Sequence, residues 1–355
     1  MLQPLGKGSG LPDPFLLHVP YDVCKGGDLL AEQIFPAIFR IEVPIPHSPL
    51  KATNAYVIKG EKRNLLVDTG QNRPESLAVL QAGLAELSID MTATDIFLTH
   101  MHADHSGLLP LIKTEGTRIF ASAKDAESVN YMLTAQSPME RLFQAACRNG
   151  FSPEEARQAI QRHPGSDTGE RKPLNFSLLS EGEKIEVAGY QFTCIATPGH
   201  TKGHLCLYEE NKKLLLSGDH VLGDISPNIT HYLGNDDPLA DFLASLQLIE
   251  ELTVDTVLPG HRRIFHDCRG RIKELKEHHR GRAEEALVIL ADGPMSGYQV
   301  AARMTWDMVF RSWEEVAPTQ KYFATGEALS HIHYLEKQGW VGRVEQEENI
   351  LYYRQ

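Results

Sequence analysis

Short apolar runs alternate with turn residues over the first part of the chain, from Phe35 to Gly107. Proline and glycine, among them Pro44 and Gly60, break these runs, and this pattern predicts strands joined by turns. Apolar residues recur at helical spacing over residues 73–87 and again over residues 237–251, which predicts two amphipathic helices. Strands mixed with helices indicate a domain of mixed α and β structure.

A stretch from about residue 124 to 173 is longer than a simple connection needs, and we expect a helical insertion there. Ser152 followed by Pro153 and two glutamates predicts a helix N-terminus. The apolar side chains of this stretch, including Met132, Leu133, Met139 and Phe143, leave two alternatives open. They pack a helical pair onto the core, or they form a lid with an apolar wall for the substrate.

The last part of the chain predicts three helices and a hairpin. A charged segment over residues 267–284 indicates an exposed connecting helix. Helices are expected at residues 284–290 and 298–304, on either side of a Gly-Pro turn, and a third at residues 327–337. Two short strands, at residues 340–344 and 350–353, flank a polar turn and predict a β-hairpin.

Composition narrows the class of protein. The 355 residues carry a net charge of −12, which suits one large domain plus a small one and disfavours nonspecific binding to nucleic acid. The five cysteines are widely spaced and contain no Cys-x-x-Cys pair, which favours a reducing compartment over a disulfide framework. The N-terminal residues lack the pattern of a signal peptide, and no apolar run is long enough to span a membrane. We expect a soluble, cytoplasmic protein.

Residues 99–105 concentrate three imidazoles and one carboxylate in His100, His102, Asp104 and His105. A strand is predicted before this cluster, at residues 95–99, and a helix is predicted to start after it, at Ser106. Loops at strand ends are where sites are usually built. Three further strand-like runs end on His200, Asp219 and His261. Imidazole and carboxylate ligands suit zinc and also iron or manganese, so the residues predict a metal site without selecting the metal.

These segments, in this order, resemble the His-x-His-x-Asp-His, later His, Gly-Asp and final Gly-His pattern of the metallo-β-lactamase-fold hydrolases. The resemblance covers roughly residues 38–279, and the ordered set is far more specific than any single piece. It implies one ion held by His100, His102 and His200, a second held by Asp104, His105 and His261, and Asp219 as the bridge between them. Asp68, in an Asp-Thr-Gly element, would support the site from behind the ligands.

The resemblance also implies the chemistry. Two divalent ions, zinc first with iron or manganese as alternatives, would ionise a bound water near neutral pH, and the resulting hydroxide would attack a small-molecule substrate. Asp104 and Asp219 would act in catalysis by orienting that water or relaying its proton. His231 or Tyr232 could donate a hydrogen bond to a substrate oxygen, with simple packing as the alternative for Tyr232. Met132 and Phe143 would line the substrate site if the insertion forms a lid.

The predicted reaction is hydrolysis of an ester-like carbonyl, with a thioester favoured, as in glyoxalase II-like enzymes. The alternatives are a lactonase or β-lactam hydrolase, a hydrolase of RNA or another phosphodiester, an iron-dependent redox enzyme and a DNA-binding regulatory protein. The implied fold is α+β, a four-layer αββα sandwich over residues 1–281 with the helical insertion at about 124–173.

Residues 282–355 resemble the C-terminal winged-helix module that is appended to some hydrolases of this fold. Winged helices often bind DNA, but from residue 282 onward eleven acidic residues outnumber seven basic ones, which suits a phosphate backbone poorly. Nucleic acid is therefore disfavoured as a partner. A packing or dimerising role is favoured for the tail, which leaves a homodimer open, and no membrane partner is expected.

Overall fold

The computed structural model describes residues 29–135, 139–161, 172–307, 312–346 and 349–355. The expectation about the first residues of the chain, and parts of the predicted insertion, lie outside these ranges. Within them the sequence folds into two large sheets, flanking helices and a C-terminal hairpin.

The first sheet has seven strands that follow one another in chain order. They are β1 (Ala31–Phe35), β2 (Ile38–Pro44), β3 (Ala52–Ile58), β4 (Asn64–Val67), β5 (Thr94–Phe97), β6 (Ile119–Ala121) and β7 (Phe176–Leu178). The strands from β1 to β4 pair antiparallel, and those from β4 to β7 pair parallel. Parallel pairing brings the carboxyl ends of β4 and β5 to the same edge of the sheet.

The second sheet has five strands. They are β8 (Lys184–Val187), β9 (Tyr190–Ala196), β10 (Leu205–Glu209), β11 (Leu214–Gly218) and β12 (Thr256–Pro259). Their spatial order is β12, β11, β10, β9, β8, and β11 pairs parallel with β12 while the other pairs are antiparallel. The carboxyl ends of β11 and β12 therefore also share one edge.

The helices are mostly short. They are α1 (Pro74–Glu86), α2 (Ala103–Ser106), α3 (Leu109–Ile112), α4 (Ala123–Thr134), α5 (Glu140–Arg148), α6 (Pro153–Gln161), α7 (Pro238–Glu250), α8 (Cys268–Ile289), α9 (Gly297–Arg303) and α10 (Pro318–Lys337), with 3₁₀ turns at Met91–Ala93, Leu290–Asp292 and Trp313–Glu315. The helices predicted over residues 73–87 and 237–251 are confirmed as α1 and α7. No helix in the described ranges combines the length and the apolar character needed to cross a bilayer.

Alternation along the strands builds four layers. Tyr56 and Ile58 of β3 face the second sheet, where they pack with Phe192 and Leu207. Val57, between them in sequence, points to the opposite face and packs with α1, α3 and α4. The outer face of the second sheet is covered by α7 and α8, through residues such as Phe242. The layers therefore run helix, sheet, sheet, helix, which agrees with the mixed α+β arrangement implied by the resemblance.

The insertion contains three described helices, α4, α5 and α6, rather than a helical pair. The predicted N-terminus at Ser152 is confirmed, because the Ser152 hydroxyl accepts a hydrogen bond from the Glu155 backbone at 3.2 Å and α6 starts at Pro153. Met132, Met139 and Phe143 pack in an apolar cluster with Tyr322 from α10. The insertion therefore contacts the C-terminal part of the chain.

The C-terminal part departs from the sequence prediction in two places. The connecting helix and the first predicted tail helix are one continuous helix, α8, which crosses the boundary predicted between residues 281 and 282. This helix is not wholly exposed, because Ile272, Leu275 and Ala286 on one face are buried. The third helix, α10, begins nine residues before the predicted start. Gly326, just before the predicted start, lies inside the helix, where a Cβ would come within 2.4 Å of Thr230.

The hairpin is confirmed as β13 (Val341–Glu345) paired antiparallel with β14 (Ile350–Arg354). Together with α8, α9 and α10 it encloses an apolar cluster that includes Val300, Leu329, Val341 and Tyr352. The C-terminal residues therefore have a core of their own, and that core is joined to the two-sheet region through α8.

Asp95, near the start of β5, offers a test of the ion pairs that stabilise the first sheet. It is 5% exposed and pairs with Arg63 at 2.5 Å and with Arg118. Asp95→Asn should lower the free energy of unfolding by about 1–2 kcal/mol, because charge-assisted hydrogen bonds are lost but both arginines are partly exposed. Urea denaturation measures this change. Asp255→Asn, which weakens an exposed pair with Lys213 at 3.6 Å, should change the stability by less than about 0.5 kcal/mol.

The effect of Asp95→Asn should depend on pH. Burial would raise the pKa of Asp95, but Arg118 and Arg63 hold that pKa below its ordinary value of 3.8. Because the folded-state pKa is lowered, the stabilisation is complete near neutral pH and is lost as the pH falls through the lowered pKa. A difference between the two proteins that is as large in strong acid as at pH 7 would contradict this assignment.

Candidate metal centre

Five strand ends converge at one edge of the two sheets. Asp68 follows β4, and His100 follows β5 after two residues. In the second sheet His200 lies in the turn after β9, Asp219 follows β11 and His261 follows β12.

The predicted helix start at Ser106 is wrong by three residues: α2 begins at Ala103, so Asp104 and His105 lie on a short helix rather than in a turn. A hydrogen bond from the His105 backbone to the His102 carbonyl, at 3.0 Å, closes this first turn.

The structure brings the seven predicted ligands together. His100, His102 and His200 form one group, and Asp104, His105 and His261 form another; within each group the ligand atoms lie within 4.8 Å of one another. Asp219 lies between the groups. Its Oδ2 is 3.6 Å from His200 Nε2 and 3.2 Å from His261 Nε2, and its Oδ1 is 3.6 Å from His105 Nε2. This is the position that the resemblance implied for a bridging carboxylate.

Three buried atoms of the centre accept or donate no hydrogen bond among the described residues: His100 Nε2, His200 Nε2 and Asp219 Oδ1. Buried polar atoms in folded proteins almost always have a partner, and each such exception calls for an explanation. Imidazole nitrogens and carboxylate oxygens grouped within 4.8 Å of one another suit a divalent cation. The donor set therefore fits the metal ions that the resemblance implies.

The other ring nitrogen of four histidines is held in place. His105 Nδ1 lies 2.7 Å from Asp68 Oδ2, and His100 Nδ1 lies 3.0 Å from the Thr99 hydroxyl, which itself donates to Asp68 at 2.8 Å. His261 Nδ1 and His200 Nδ1 donate to the backbone carbonyls of Ala52 and Asn228, both at 2.8 Å. An Nδ1 that donates in this way leaves Nε2 with its lone pair turned to the centre. Asp68 thus lies behind two of the predicted ligands, His100 and His105.

Electrostatics differ between the two groups. Burial and then the neighbouring His200 lower the pKa of His102 to about 3, so this imidazole stays neutral at physiological pH. Burial would lower the pKa of His261 too, but Asp219 and Asp104 raise it to about 10. The first group therefore offers neutral nitrogen ligands, while the second lies in a strongly negative field that attracts cations.

Gly260 explains why a glycine precedes the final histidine. A Cβ at this position would lie 2.4 Å from Asp219 Oδ1 and 2.9 Å from the His105 ring. A side chain here would force Asp219 and His105 to shift, so a glycine lets the chain just after β12 pass directly behind two predicted ligands. The Gly-His pair is therefore a packing requirement of the centre.

Asp125 is a residue that the sequence analysis missed. Its buried carboxylate accepts hydrogen bonds from the Met101 backbone at 3.0 Å, the Thr201 hydroxyl at 2.6 Å and the Gly203 backbone at 2.9 Å. It therefore ties the loop of His100 and His102 to the loop of His200. Asp125 lies at the start of α4, where the Ser-x-x-Asp spacing from Ser122 signals only a helix N-terminus.

Two further histidines near the centre are buried. His204 accepts a hydrogen bond from the Asp219 backbone at 3.1 Å and contacts the Thr197 hydroxyl at 2.7 Å. It therefore holds the backbone of Asp219, the predicted bridging residue. His220 packs edge-on against Phe242, with ring centroids 5.1 Å apart.

The residues predicted to contact the substrate make contacts with other parts of the chain in the structure. The Tyr232 hydroxyl donates to the Tyr322 carbonyl at 2.6 Å, and the two rings stack 4.3 Å apart, so the packing alternative describes this residue. His231 stacks on His333 at 4.3 Å. Met132 and Phe143 are partly buried in the cluster that joins the insertion to α10.

Comparison with known families decides which fold this is. The model of the metallo-beta-lactamase superfamily matches residues 49–261, more than half of the chain. The chain belongs to the metallo-beta-lactamase superfamily. A second model, the metallo-beta-lactamase-like C-terminal domain, matches residues 285–355. The resemblance based on the ligand segments is thereby confirmed at the level of the superfamily.

Several known proteins are similar to this chain. The crystal structure of a family protein from Thermus thermophilus is 32% identical, with a TM-score of 0.74, and the match covers 91% of this chain and 100% of that one. A probable metallo-hydrolase of Bacillus subtilis, YqjP, is 24% identical over 316 residues, covering 84% of this chain and 92% of the relative.

An atrochrysone carboxyl ACP thioesterase of Aspergillus fumigatus is 25% identical over 244 residues, which is 68% of this chain but only 45% of that protein. The chain thus matches less than half the length of the thioesterase. The prediction that the chain is a hydrolase is confirmed by these superfamily relatives.

Proposed function

We propose that the chain is a dinuclear metal-dependent hydrolase of a small substrate with an ester-like carbonyl, and that a thioester is its preferred substrate class. One observation carries the proposal: two groups of ligand atoms flank Asp219, and three buried atoms facing the centre lack hydrogen-bond partners among the described residues. The bound ions are proposed to be zinc, with iron or manganese as the alternatives.

Two divalent ions bound here would supply a water ionised near neutral pH and a positive field for the substrate oxygen. The chain's own residues set up this chemistry. Burial would raise the pKa of Asp104, but His105 and His261 hold it well below its usual range, so Asp104 remains a carboxylate. The Asp104 side chain is 16% exposed and that of Asp219 is 8% exposed. Asp104 is therefore the carboxylate better placed to accept a hydrogen bond from an entering water and to orient it.

Thioester preference rests on two supports. One activity named among similar proteins is that of the Aspergillus fumigatus thioesterase, although the match spans less than half of it. The second support is the apolar cluster of Met132, Met139 and Phe143 with residues of α10, which suits a substrate with an acyl portion because burying apolar surface contributes about 25 cal/mol per Å². Met132, Phe143 and His231 remain proposed substrate contacts.

The C-terminal residues are proposed to be a winged-helix module with a packing role. Glu327, His331 and His333 on α10, the helix that would enter a DNA groove, are buried against the rest of the chain. Such a helix has no free face of basic residues for phosphates, which supports a small-molecule substrate over nucleic acid. A homodimer and a cytoplasmic location remain predictions.

Metal content and substrate choice test the proposal together. Elemental analysis of metal-replete protein should find close to two ions per chain. A panel of thioesters, lactones, a chromogenic β-lactam, a phosphodiester and RNA should show the fastest hydrolysis for a thioester, with kcat/KM as the measure.

Three outcomes of these measurements would contradict parts of the proposal. A content of zero or one ion after metal-replete preparation would contradict the dinuclear centre. Cleavage of RNA or the phosphodiester far above every carbonyl substrate would overturn the substrate class but not the metal centre. Oxygen consumption with iron bound, in place of hydrolysis, would favour the redox alternative.

A further inference from the structure

The loop between β11 and α7 is held by one turn of α10. The His231 backbone donates to the Gly326 carbonyl at 3.0 Å, and the Asn228 side chain donates to Glu327 Oε2 at 2.9 Å. The loop also presses against the helix backbone, because Thr230 lies where a Cβ of Gly326 would be. The C-terminal part of the chain therefore sets the position of this loop.

The same loop contacts a predicted metal ligand. The Asn228 carbonyl accepts the hydrogen bond from His200 Nδ1 at 2.8 Å, while the buried His200 Nε2 faces the centre. The partners of His100, His105 and His261 all lie between residues 52 and 99, in the two-sheet region. His200 differs from these histidines because its support comes through a loop that α10 holds.

Burial of the Glu327 carboxyl group is energetically unfavourable. It is 9% exposed, and burial raises the pKa of its carboxyl despite the opposing effects of Arg282 and Asn228. Arg282 Nε is 4.0 Å from the carboxylate, and the Arg282 guanidinium also pairs with Glu285 at 2.6 Å. A buried carboxylate is unfavourable unless its partners compensate it. The hydrogen bond to Asn228 is the contact that connects Glu327 to the centre.

We propose that Glu327 is a positioning residue for His200. Glu327 holds the side chain of Asn228, and the backbone carbonyl of Asn228 fixes the tautomer and ring orientation of His200. This inference rests on the proposed metal-dependent function. It makes the C-terminal region part of the proposed metal centre rather than an appended module. Two hydrogen bonds connect α10 to the predicted ligand, one between Asn228 and Glu327 and one between His200 and Asn228.

Metal affinity tests the inference without relying on catalysis. Successive zinc dissociation constants of the full-length chain would be measured by competition with a chromophoric chelator. Glu327→Ala should weaken one of the two constants by about 10–100-fold, the loss typical for an outer partner of a metal ligand, and should leave the other near its wild-type value. Glu327→Gln should restore most of the affinity, because its amide oxygen still accepts a hydrogen bond from Asn228.

Two further variants complete the design. Asn228→Ala should resemble Glu327→Ala, and the double variant should lose little more than either single one, because the two residues act through one contact. Glu336→Gln is the matched control: Glu336 lies on the same helix and pairs with His333 and Arg343, away from Asn228. It should leave both zinc constants unchanged.

The outcomes separate this inference from the proposed function. A wild-type chain that binds neither zinc nor iron nor manganese would overturn both. A wild-type chain that binds two ions, together with folded Glu327→Ala and Asn228→Ala variants that bind both as tightly, would overturn the positioning role alone. Equal losses in Glu327→Gln and Glu327→Ala would also count against it. If Glu327→Ala does not fold, Asn228→Ala, a change on a half-buried loop, decides the question.

Discussion

Replacing Asp219 with alanine should remove hydrolytic activity, with a loss well above the roughly 100-fold that marks the upper end for outer partners of a metal ligand. The reason is geometric: its two carboxylate oxygens lie within 3.6 Å of His105, His200 and His261, so both ligand groups lose their shared charge at once. Elemental analysis of the variant should find fewer ions per chain than in the wild type, under the same metal-replete preparation.

A neighbouring aspartate provides the control. Asp224→Asn changes a carboxylate five residues further along the same loop, where it pairs with Arg263 at 2.5 Å on the surface. This variant should keep the wild-type metal content and activity. Thermal unfolding should show that the Asp219→Ala chain remains folded, because the hydrogen bond from the Asp219 backbone to His204 does not involve the deleted side chain. Full metal content in Asp219→Ala would exclude a bridging role.

Asp125→Ala should impair both stability and activity, although Asp125 is not among the predicted ligands. The substitution leaves three buried donors, on Met101, Thr201 and Gly203, without their acceptor. We expect a loss of about 2–4 kcal/mol in the free energy of unfolding, because each buried donor left unpaired costs about 1–3 kcal/mol and the Thr201 hydroxyl can turn to another partner. Activity should fall by about 10–100-fold as the two ligand loops separate.

Urea denaturation and kcat/KM of the metal-replete protein measure the two effects of Asp125→Ala. Asp125→Asn should also be impaired, because all three partners are donors and the new amide would turn its own NH₂ group towards one of them. Glu127→Ala, on the exposed side of the same helix, removes a carboxylate that makes none of these contacts. If Asp125→Ala behaved like Glu127→Ala, the two loops would not depend on Asp125.

The contrast between Asp219 and Asp125 shows what can be predicted from the sequence. The ligands stand in short segments at the ends of apolar runs, so both their chemistry and their strand-end positions are visible in the sequence. Asp125 has no such signal, because its partners lie 24, 76 and 78 residues away and come together only in the folded chain. Glu327 escaped detection for the same reason: its partner Asn228 is 99 residues away.

The boundaries of helices also separate into those that the sequence pattern shows and those that depend on the folded structure. Periodic apolar residues located α1 and α7, since one face of each helix packs against a sheet. The start of α10 was misplaced by nine residues. Gly326, just before the predicted start, fits inside the helix because Thr230 approaches it closely, and this tertiary contact is not visible in the sequence. The early start of α2 depends on hydrogen bonds to the His102 carbonyl inside the segment of predicted ligands, and the sequence pattern did not show them.

The continuity of α8 limits how the molecule can move. Its 22 residues form a rod about 33 Å long, with no glycine- or proline-rich linker between the two-sheet region and the C-terminal region. A hinge needs residues that can change their backbone angles, and a continuous helix supplies none without breaking its hydrogen bonds. We therefore expect the C-terminal region to stay fixed to the two-sheet region through α8 while a substrate enters and its product leaves.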